Sequence, residues 1–329
     1  MQKIRLYDSE IEIPRLCLGT WAWGNDSWWG HQNDADSAAV LEYCLANGFN
    51  FIDTAPVYGR GHSEELIGQF LSGTGSREQV IISTKFGLKW QGRYINHDLS
   101  IKRMLEEFDD SRRRLGTDYF DLYQAHWPDR DRPFEPVAEQ MQKWLSNGRI
   151  KAAGLSNFTL DDMKLFMKYC PLYFVQLPFN IFQRGIEADI VPFCEEHNIV
   201  ILAYSPLCSG VLTGKFFEKD AKIPKDIVRK YNDQLKPENV ENTRRIIEKA
   251  GQIARDLNLS LTELAVAWIQ NRSQMFIPII GTRNIQQAKE NVKMLHAVEL
   301  PDEIMKKINE IILQGCIACV HANMMEYEK

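Results

Sequence analysis

Eight short apolar runs, rich in β-branched and aromatic residues, recur along the chain with helical segments between them. The runs are almost continuously apolar, which is typical of parallel strands that are buried on both faces. They lie at 15–20, 50–54, 80–85, 119–126, 150–156, 173–177, 199–204 and 275–281. Strict alternation of strand and helix predicts right-handed parallel crossovers, and eight strands are the number that closes a barrel.

The segments between the runs have apolar residues at helical spacing, and several begin with a capping residue and end in glycine. They lie at 34–48, 62–73, 100–116, 133–148, 159–170, 186–198 and 284–295, with two more between the seventh and eighth runs. Residues 3–13 are predicted to form a small hairpin, and residues 301–315 an added helix.

The competing fold is an open doubly wound sheet, which often has a G-x-G-x-x-G turn after its first strand. The stretch "CLGTWAWG" contains no such turn, and "GRGHSEELIG" has Glu64 where the third glycine would stand. We therefore predict an α/β fold, a (β/α)8 TIM barrel with an N-terminal β-hairpin and extra helices. The whole chain, 1–329, is expected to be a single domain.

Charge, hydropathy and cysteine content argue against nucleic-acid-binding, membrane-spanning and secreted proteins. The 39 basic and 44 acidic residues give a net charge of −5, which does not favour a nucleic-acid partner. No window approaches the roughly 18 apolar residues that span a bilayer, and "MQKIRLYDSE" lacks the apolar region of a secretory signal. Seven scattered cysteines do not form a disulfide framework, so we expect a reducing, cytoplasmic location.

Cys316 and Cys319 alone have C-x-x-C spacing. One such pair, without a second pair or histidines at zinc-finger spacing, is weak evidence for a metal or redox site. No metal is expected.

In a TIM barrel the functional site lies at the carboxyl ends of the strands. The residues at or near these ends are Asp53, Lys85, His126, Ser156, Asn157, Gln176, Tyr204, Ser205, Gly281, Thr282 and Arg283, with Tyr58 in the loop after the second strand. Taken singly, each has an ordinary explanation: a carboxylate can cap the next element, and a lone histidine is more often structural. Four ionisable groups at one barrel mouth favour catalysis.

A lysine, an aspartate, a tyrosine and a histidine together suit proton donation to an oxygen. A free phenol has a pKa near 10 and donates poorly at neutral pH, but an ammonium beside it lowers that pKa. Asp53 would keep Lys85 charged, and His126 would orient the substrate oxygen. No Cys or Ser here has the setting of a nucleophile beside a base, and no metal cluster is visible in the sequence. The attacking group could be a hydride, which no side chain can supply, so a nicotinamide would be needed.

Several motifs, in order, resemble the aldo-keto reductase superfamily over nearly the whole chain. They are "GTW" (19–21), "FIDTAPVYGRGHSEELIG" (51–68), "ISTKFG" (82–87), "LGTDYFDLYQAHWPD" (115–129), "GRIKAAGLSNF" (148–158), "AYSPLCSGVLTGK" (203–215) and "IIGTR" with the following Gln and Glu-Asn (279–291). The "HWPD" and "LCSGVLTGK" forms are similar to the bacterial branch that includes general-stress and inositol-cluster reductases.

The resemblance implies a catalytic tetrad of Asp53, Tyr58, Lys85 and His126, with Tyr58 as general acid. It also implies an extended NAD(P) site that needs no Rossmann domain. The implied cofactor residues are Gly19, Thr20, Trp21, Asp53, Ser156, Asn157, Gln176, Tyr204, Ser205, Leu207, Ser209, Lys215, Gly281, Thr282, Arg283, Gln287, Glu290 and Asn291. The substrate pocket would contain Trp21, Tyr58, His126 and Trp127.

NADP is favoured over NAD, because Arg283 can pair with a 2′-phosphate through two parallel hydrogen bonds. The chain departs from some branches of the family in having Gly281 where they have Lys and Gln287 where they have Arg. This departure leaves Arg283 with most of that task.

The expected activity is NADPH-dependent reduction of a small aldehyde or ketone, since His126 stands where enone-reducing relatives have Glu. Six tryptophans at strand ends and in loops, Trp21, Trp23, Trp28, Trp29, Trp90 and Trp127, are candidates for an aromatic wall. Tryptophans also fill ordinary cores. The alternative function is a nicotinamide-binding redox sensor or regulatory subunit, as in the potassium-channel beta subunits. The sequence does not indicate an oligomeric state.

Overall fold

The computed structural model describes residues 3–6, 9, 11–24, 28–92 and 94–313. Its strands, in chain order, are β1 (Lys3–Arg5), β2 (Glu12–Pro14), β3 (Cys17–Gly19), β4 (Phe51–Asp53), β5 (Ile81–Phe86), β6 (Leu88–Gln91), β7 (Tyr94–His97), β8 (Phe120–Ala125), β9 (Ile150–Ser156), β10 (Phe174–Pro178), β11 (Val200–Tyr204) and β12 (Phe276–Gly281). Eight of them, β3, β4, β5 and β8 to β12, form a closed parallel barrel. The predicted (β/α)8 barrel is confirmed.

Strand register brings the carboxyl ends of neighbouring strands to one rim. Gly19 pairs with Asp53 on one side and with Gly281 on the other. Gln176 pairs with Ser156 in the same way. Side chains that are far apart in the sequence therefore meet at the barrel mouth, because parallel strands in register end at a common edge.

The helices are α1 (Asp34–Ala46), α2 (His62–Thr74), α3 (Ile101–Leu115), α4 (Glu135–Ser146), α5 (Leu160–Phe166), α6 (Ile190–Glu196), α7 (Ile227–Lys230), α8 (Val240–Asp256), α9 (Leu261–Arg272), α10 (Ile285–Lys293) and α11 (Asp302–Leu313). All the predicted helices are present, and α5 and α6 are shorter than expected. The one-turn helix α7 is not predicted, since four residues are too few to show a period.

The N-terminal hairpin closes the amino end of the barrel, as predicted. Strands β1 and β2 pair antiparallel. Leu6 and Ile13 are fully buried, and they join an apolar cluster with Cys17, Phe51 and Leu122 inside the barrel. The larger apolar core lies between the barrel and its helices.

A second hairpin, formed by β6 and β7, follows the third barrel strand and stands at the mouth. Sequence reasoning missed it because the search was for continuous apolar runs. The segment "LKWQGRYINH" alternates apolar and polar residues instead, which is typical of a half-exposed strand pair. Gly92 in its turn has φ +62°, a conformation that favours glycine.

Within the described ranges, no helix has the length and apolar character that crossing a bilayer requires. The described cysteines, Cys17, Cys44, Cys170, Cys194 and Cys208, are buried, and none of them forms a disulfide within the described residues. Cys316 and Cys319 lie outside the described residues, so the suggestion about them stays untested.

Candidate active site

Lys85 lies at the centre of the barrel mouth and is fully buried. Its Nζ donates to Asp53 Oδ2 at 2.7 Å, to the Thr54 carbonyl at 2.8 Å and to Tyr58 Oη at 3.3 Å. Burial lowers the pKa of Lys85, and the carboxylate of Asp53 opposes that shift. A buried ammonium persists only when it is paired, and here all three of its hydrogens meet an oxygen.

The carboxylate of Asp53 is held by more than the lysine. Its Oδ1 accepts from Ser83 Oγ at 3.1 Å and from Gln176 Nε2 at 2.8 Å. Ser83 accepts in turn from Gln124 Nε2 at 3.0 Å. Three barrel strands besides its own therefore fix the direction in which Asp53 faces Lys85.

Tyr58 reaches the mouth because its loop folds back tightly over the short 3-10 turn that follows β3. Gly59 has φ +57°, and a Cβ there would lie 2.0 Å from the Gly24 carbonyl oxygen. A Cβ on Gly24 would lie 2.5 Å from the Gly59 nitrogen. Two glycines are thus required where these backbones touch, since any side chain would push the loop away. The ring of Tyr58 then stacks near Trp21, with centroids 6.1 Å apart.

His126 faces Tyr58 edge-on, with ring centroids 6.0 Å apart. Burial lowers the pKa of His126 well below its usual value, and the charges of Lys85 and His97 lower it further. The imidazole is therefore neutral near pH 7. A neutral imidazole can donate one hydrogen bond to an oxygen without adding a charge to the mouth.

Beside His126, polar side chains at the ends of β9 and β11 form a connected group. Asn157, with φ +66°, donates from Nδ2 to the His126 carbonyl at 3.0 Å and to Ser156 Oγ at 3.0 Å. Its Oδ1 accepts from Tyr204 Oη at 2.8 Å, and burial raises the pKa of Tyr204. Within the described part of the chain, the Ser156 hydroxyl hydrogen and Gln176 Oε1 have no protein partner.

Arg283 lies at the far end of the site and binds a loop. Its Nε donates to Gln32 Oε1 at 2.9 Å, and its Nη1 and Nη2 donate to the Trp29 and His31 carbonyls. Burial, and then the nearby charge of Arg229, lower the pKa of Arg283, and the carboxylate of Asp226 opposes that shift. These hydrogen-bond acceptors are neutral, so the loop holds the guanidinium without cancelling its charge.

One cavity of about 1040 Å³ joins the two ends. It is lined by Tyr58, His126, Trp127 and all the predicted cofactor residues except Thr282, while Lys85 lies behind the wall. Thr282 is fully buried, and its Oγ1 accepts from Asn291 Nδ2 at 2.8 Å, so its predicted cofactor role stays a prediction. Its neighbours Gly281 and Arg283 face the cavity, because successive residues of an extended chain point to opposite sides.

Of the six tryptophans, Trp21, Trp28, Trp29, Trp90 and Trp127 line the cavity. Trp23 belongs to the core, where its Nε1 donates to the Thr282 carbonyl at 2.7 Å. The sequence reasoning gave no role to Ile95 and His97 of the second hairpin, to Arg130, or to Arg229, which also line the cavity.

Residues 15–313 match the sequence profile of the aldo/keto reductase family. The chain therefore belongs to this family, and it is an NAD(P)H-dependent oxidoreductase. It is 34% identical over 313 residues to aldo-keto reductase YhdN of Bacillus subtilis, covering 95% of this chain and 94% of that protein.

It is also 32% identical over 316 residues to the NADH-specific methylglyoxal reductase of Escherichia coli, covering 90% of this chain and 94% of that protein. Among solved structures it is similar to the glycerol dehydrogenase AKR11B4 from Gluconobacter oxydans. That match has a TM-score of 0.87 and 35% identity, and it covers 95% of each chain.

Proposed function

We propose that this protein reduces an aldehyde or ketone to the alcohol with NADPH, and that Tyr58 is its general acid. The observation that carries the proposal is the buried Lys85 ammonium, 3.3 Å from Tyr58 Oη and 2.7 Å from the carboxylate of Asp53. An ammonium beside a phenol stabilises the phenolate, so the phenol gives up its proton more readily.

The polar groups of the cavity fit a nicotinamide dinucleotide. The hydroxyl hydrogen of Ser156 and Gln176 Oε1 offer one donor and one acceptor, which is what a carboxamide needs. Lys215 and Arg283 supply cations in the cavity for phosphates. When bound, the reduced nicotinamide supplies the hydride that the carbonyl carbon receives.

The other predicted cofactor residues that line the cavity are consistent with this cofactor. Tyr204 offers an aromatic face for the nicotinamide. The remaining residues that we assign to cofactor contact are Gly19, Thr20, Trp21, Ser205, Leu207, Ser209, Gly281, Gln287, Glu290 and Asn291.

The protein's part of the reaction is to bind and protonate the carbonyl oxygen. Tyr58 and neutral His126 both donate hydrogen bonds toward it, which polarises the carbonyl group. As carbon gains a hydride, the O–H bond of Tyr58 breaks and the new alcohol O–H bond forms. Lys85 stabilises the resulting phenolate until water returns the proton, so the net change is one carbonyl reduced and one NADPH oxidised.

The preference for NADPH rests on Arg283. The carbonyls that hold its guanidinium are neutral, and the nearby Arg229 is ion-paired to Asp226. A doubly charged phosphate suits the Arg283 guanidinium better than a neutral ribose hydroxyl does. Since the similar reductase of Escherichia coli is NADH-specific, the test of this preference is to measure the KM for NADPH and for NADH.

The test is steady-state oxidation of NADPH with a panel of aldehydes and ketones, for the wild type and for Tyr58→Phe. We expect turnover by the wild type, and a loss of about 10²–10⁴-fold in kcat for the variant. NADPH binding, followed by fluorescence, should be unchanged. Tyr169→Phe, an exposed tyrosine outside the cavity wall, is the matched control.

Two results would count against the proposal. If the wild type binds NADPH but no carbonyl oxidises it, the redox-sensor function is favoured. If Tyr58→Phe keeps full activity, another group donates the proton.

A further inference from the structure

The second hairpin, β6–β7, forms one wall of the cavity beside Tyr58. Trp90 Nε1 donates to the Val57 carbonyl at 3.0 Å, one residue before the tyrosine. The guanidinium of Arg60 lies 4.3 Å above the Trp90 ring, and it also donates to the Gly92 carbonyl. These contacts hold the hairpin to the loop that carries Tyr58, the proposed general acid. Side chains of the hairpin therefore line the same cavity as Tyr58.

His97 ends this hairpin and lines the cavity. Its Nδ1 lies 2.8 Å from the Pro128 carbonyl oxygen. A carbonyl oxygen only accepts, so Nδ1 must donate its hydrogen. In the neutral ring the lone pair is then on Nε2, which is a hydrogen-bond acceptor. The ring also stacks on Trp127, with centroids 5.9 Å apart and planes at 29°.

His97 lies at the rim of the cavity, near the group proposed to bind the carbonyl oxygen. It contacts Trp127 and Pro128, the two residues that directly follow His126 in the chain, so it lies beside the loop that His126 begins. Tyr58 and His126 donate to the carbonyl oxygen in the proposed reaction. His97 differs from them, because it offers an acceptor at the rim of the same cavity.

Arg130, on the loop after β8, also lines the cavity. It donates to both carboxylate oxygens of Asp162, at 2.7 and 2.9 Å. This two-bond pair neutralises the guanidinium, so the rim arginine beside Trp127 is not available to a substrate carboxylate. The rim therefore favours an uncharged substrate.

We propose that His97 Nε2 accepts a hydrogen bond from a hydroxyl group next to the reacting carbonyl. The substrate class that follows is neutral hydroxy-aldehydes and hydroxy-ketones. This inference rests on the proposed carbonyl reduction and specifies its substrate.

The test compares matched substrates that differ only in that hydroxyl. Hydroxyacetone and 2-butanone are one pair of similar shape, and glycolaldehyde and propanal are the second. The kcat/KM ratio within each pair is measured for the wild type and for His97→Phe, which keeps a ring on Trp127 but has no nitrogen. Comparing ratios between the enzymes removes the intrinsic reactivity of each carbonyl.

We expect His97→Phe to lower the hydroxy-to-deoxy ratio by about five- to tenfold, the effect of one neutral hydrogen bond. His97→Gln keeps an acceptor oxygen, so it should retain more of the ratio. Asn96→Ala, in the adjacent exposed residue of the hairpin, should leave the ratio at its wild-type value.

An unchanged ratio in His97→Phe would overturn the inference, and so would an equal loss for both members of each pair, which indicates a purely structural wall. Pyruvate reduced as efficiently as hydroxyacetone would overturn the uncharged-substrate part. Failure of the proposed function looks different: the wild type would then oxidise NADPH with none of the carbonyls.

Discussion

The two ends of the cavity hold their positive charges in different ways. At the barrel mouth, Lys85 is fully buried and bonded to a carboxylate on the neighbouring strand. At the far end, Arg283 is partly exposed, and the backbone carbonyls of a loop hold it. The first charge has its counter-ion inside the protein, whereas the second keeps its charge available. This difference fits the proposed roles, in which the mouth stabilises a proton donor and the far end receives an anion.

Removing the ammonium at the mouth should have the largest effect. In Lys85→Met, the buried carboxylate of Asp53 loses its partner, so we expect the free energy of unfolding to fall by about 3–5 kcal/mol. The phenolate also loses its support, so kcat should fall by about 10³-fold. Denaturant titration and stopped-flow kinetics measure the two effects.

The matched control is Lys151→Met. Lys151 also pairs with a carboxylate, Asp121, at 2.8 Å, but it is half-exposed and outside the cavity wall. Its loss should leave kcat unchanged. An equal loss of activity in both variants would mean that general destabilisation, and not the loss of the ammonium beside Tyr58, explains the lower kcat of Lys85→Met.

Gly59→Ala tests the loop that brings Tyr58 to the mouth. The new Cβ would lie 2.0 Å from the Gly24 carbonyl oxygen at φ +57°, so we expect a loss of about 3 kcal/mol in stability. The kcat should fall more than cofactor binding weakens. Gly73→Ala is the control: it lies in α2 with open space around the site of a Cβ, and it should be stabilising by up to about 1 kcal/mol. A normal kcat in Gly59→Ala would show that the conformation of this loop does not determine the position of Tyr58.

Arg283→Ala tests the far end. We expect the KM for NADPH to rise by roughly 30-fold, because a charge-assisted pair with a phosphate is lost. The KM for NADH should rise by no more than about threefold, since that cofactor has no 2′-phosphate to lose. Gln32→Ala loosens the same loop without removing a charge, and should affect both cofactors alike. Equal effects of Arg283→Ala on the two cofactors would contradict the assignment to the 2′-phosphate.

The smallest expected effect concerns a buried carboxyl behind the mouth. Glu107 accepts from the Gly87 backbone N–H at 2.6 Å and from Arg103 at 2.8 Å. Burial raises its pKa from 4.5 to about 7, against the pull of Arg103. A carboxyl with a raised pKa holds its proton in the folded state and releases it on unfolding. Its contribution to stability is therefore present at low pH and is lost as the pH rises through about 7.

Between pH 6 and pH 7.5 the wild type should lose about 1 kcal/mol of stability relative to Glu107→Gln. Urea titrations of both proteins at several pH values measure this difference. If the difference in free energy of unfolding between the two proteins did not change over this pH range, Glu107 would not titrate within it.

Residues at strand ends were predictable from the sequence, because parallel strands in register bring their ends together. Asp53, Lys85, His126 and Gln176 were identified in this way, and the structure brings them together. The roles assigned to individual residues, and the single-domain assignment of 1–329, stay predictions.

Contacts between loops were not predictable in the same way. Arg283 meets Gln32 across 251 residues, and no local pattern reveals such a pair. His97 left a signal, the alternation within "LKWQGRYINH", which a search for half-exposed strands would have found. Thr282 is buried between Gly281 and Arg283, which line the cavity. A motif match covers consecutive residues and does not show which of them face the cavity.

The burial of Lys85 has a further chemical consequence. Aldehydes condense with neutral amines to give imines, so a lysine exposed to a carbonyl substrate would be open to covalent trapping. Lys85 lies behind the cavity wall, and its three hydrogens bind Asp53, Thr54 and Tyr58. The nitrogen has no lone pair to offer and no path to the substrate. The ammonium can therefore act through the phenol while staying inert toward the compounds that the enzyme reduces.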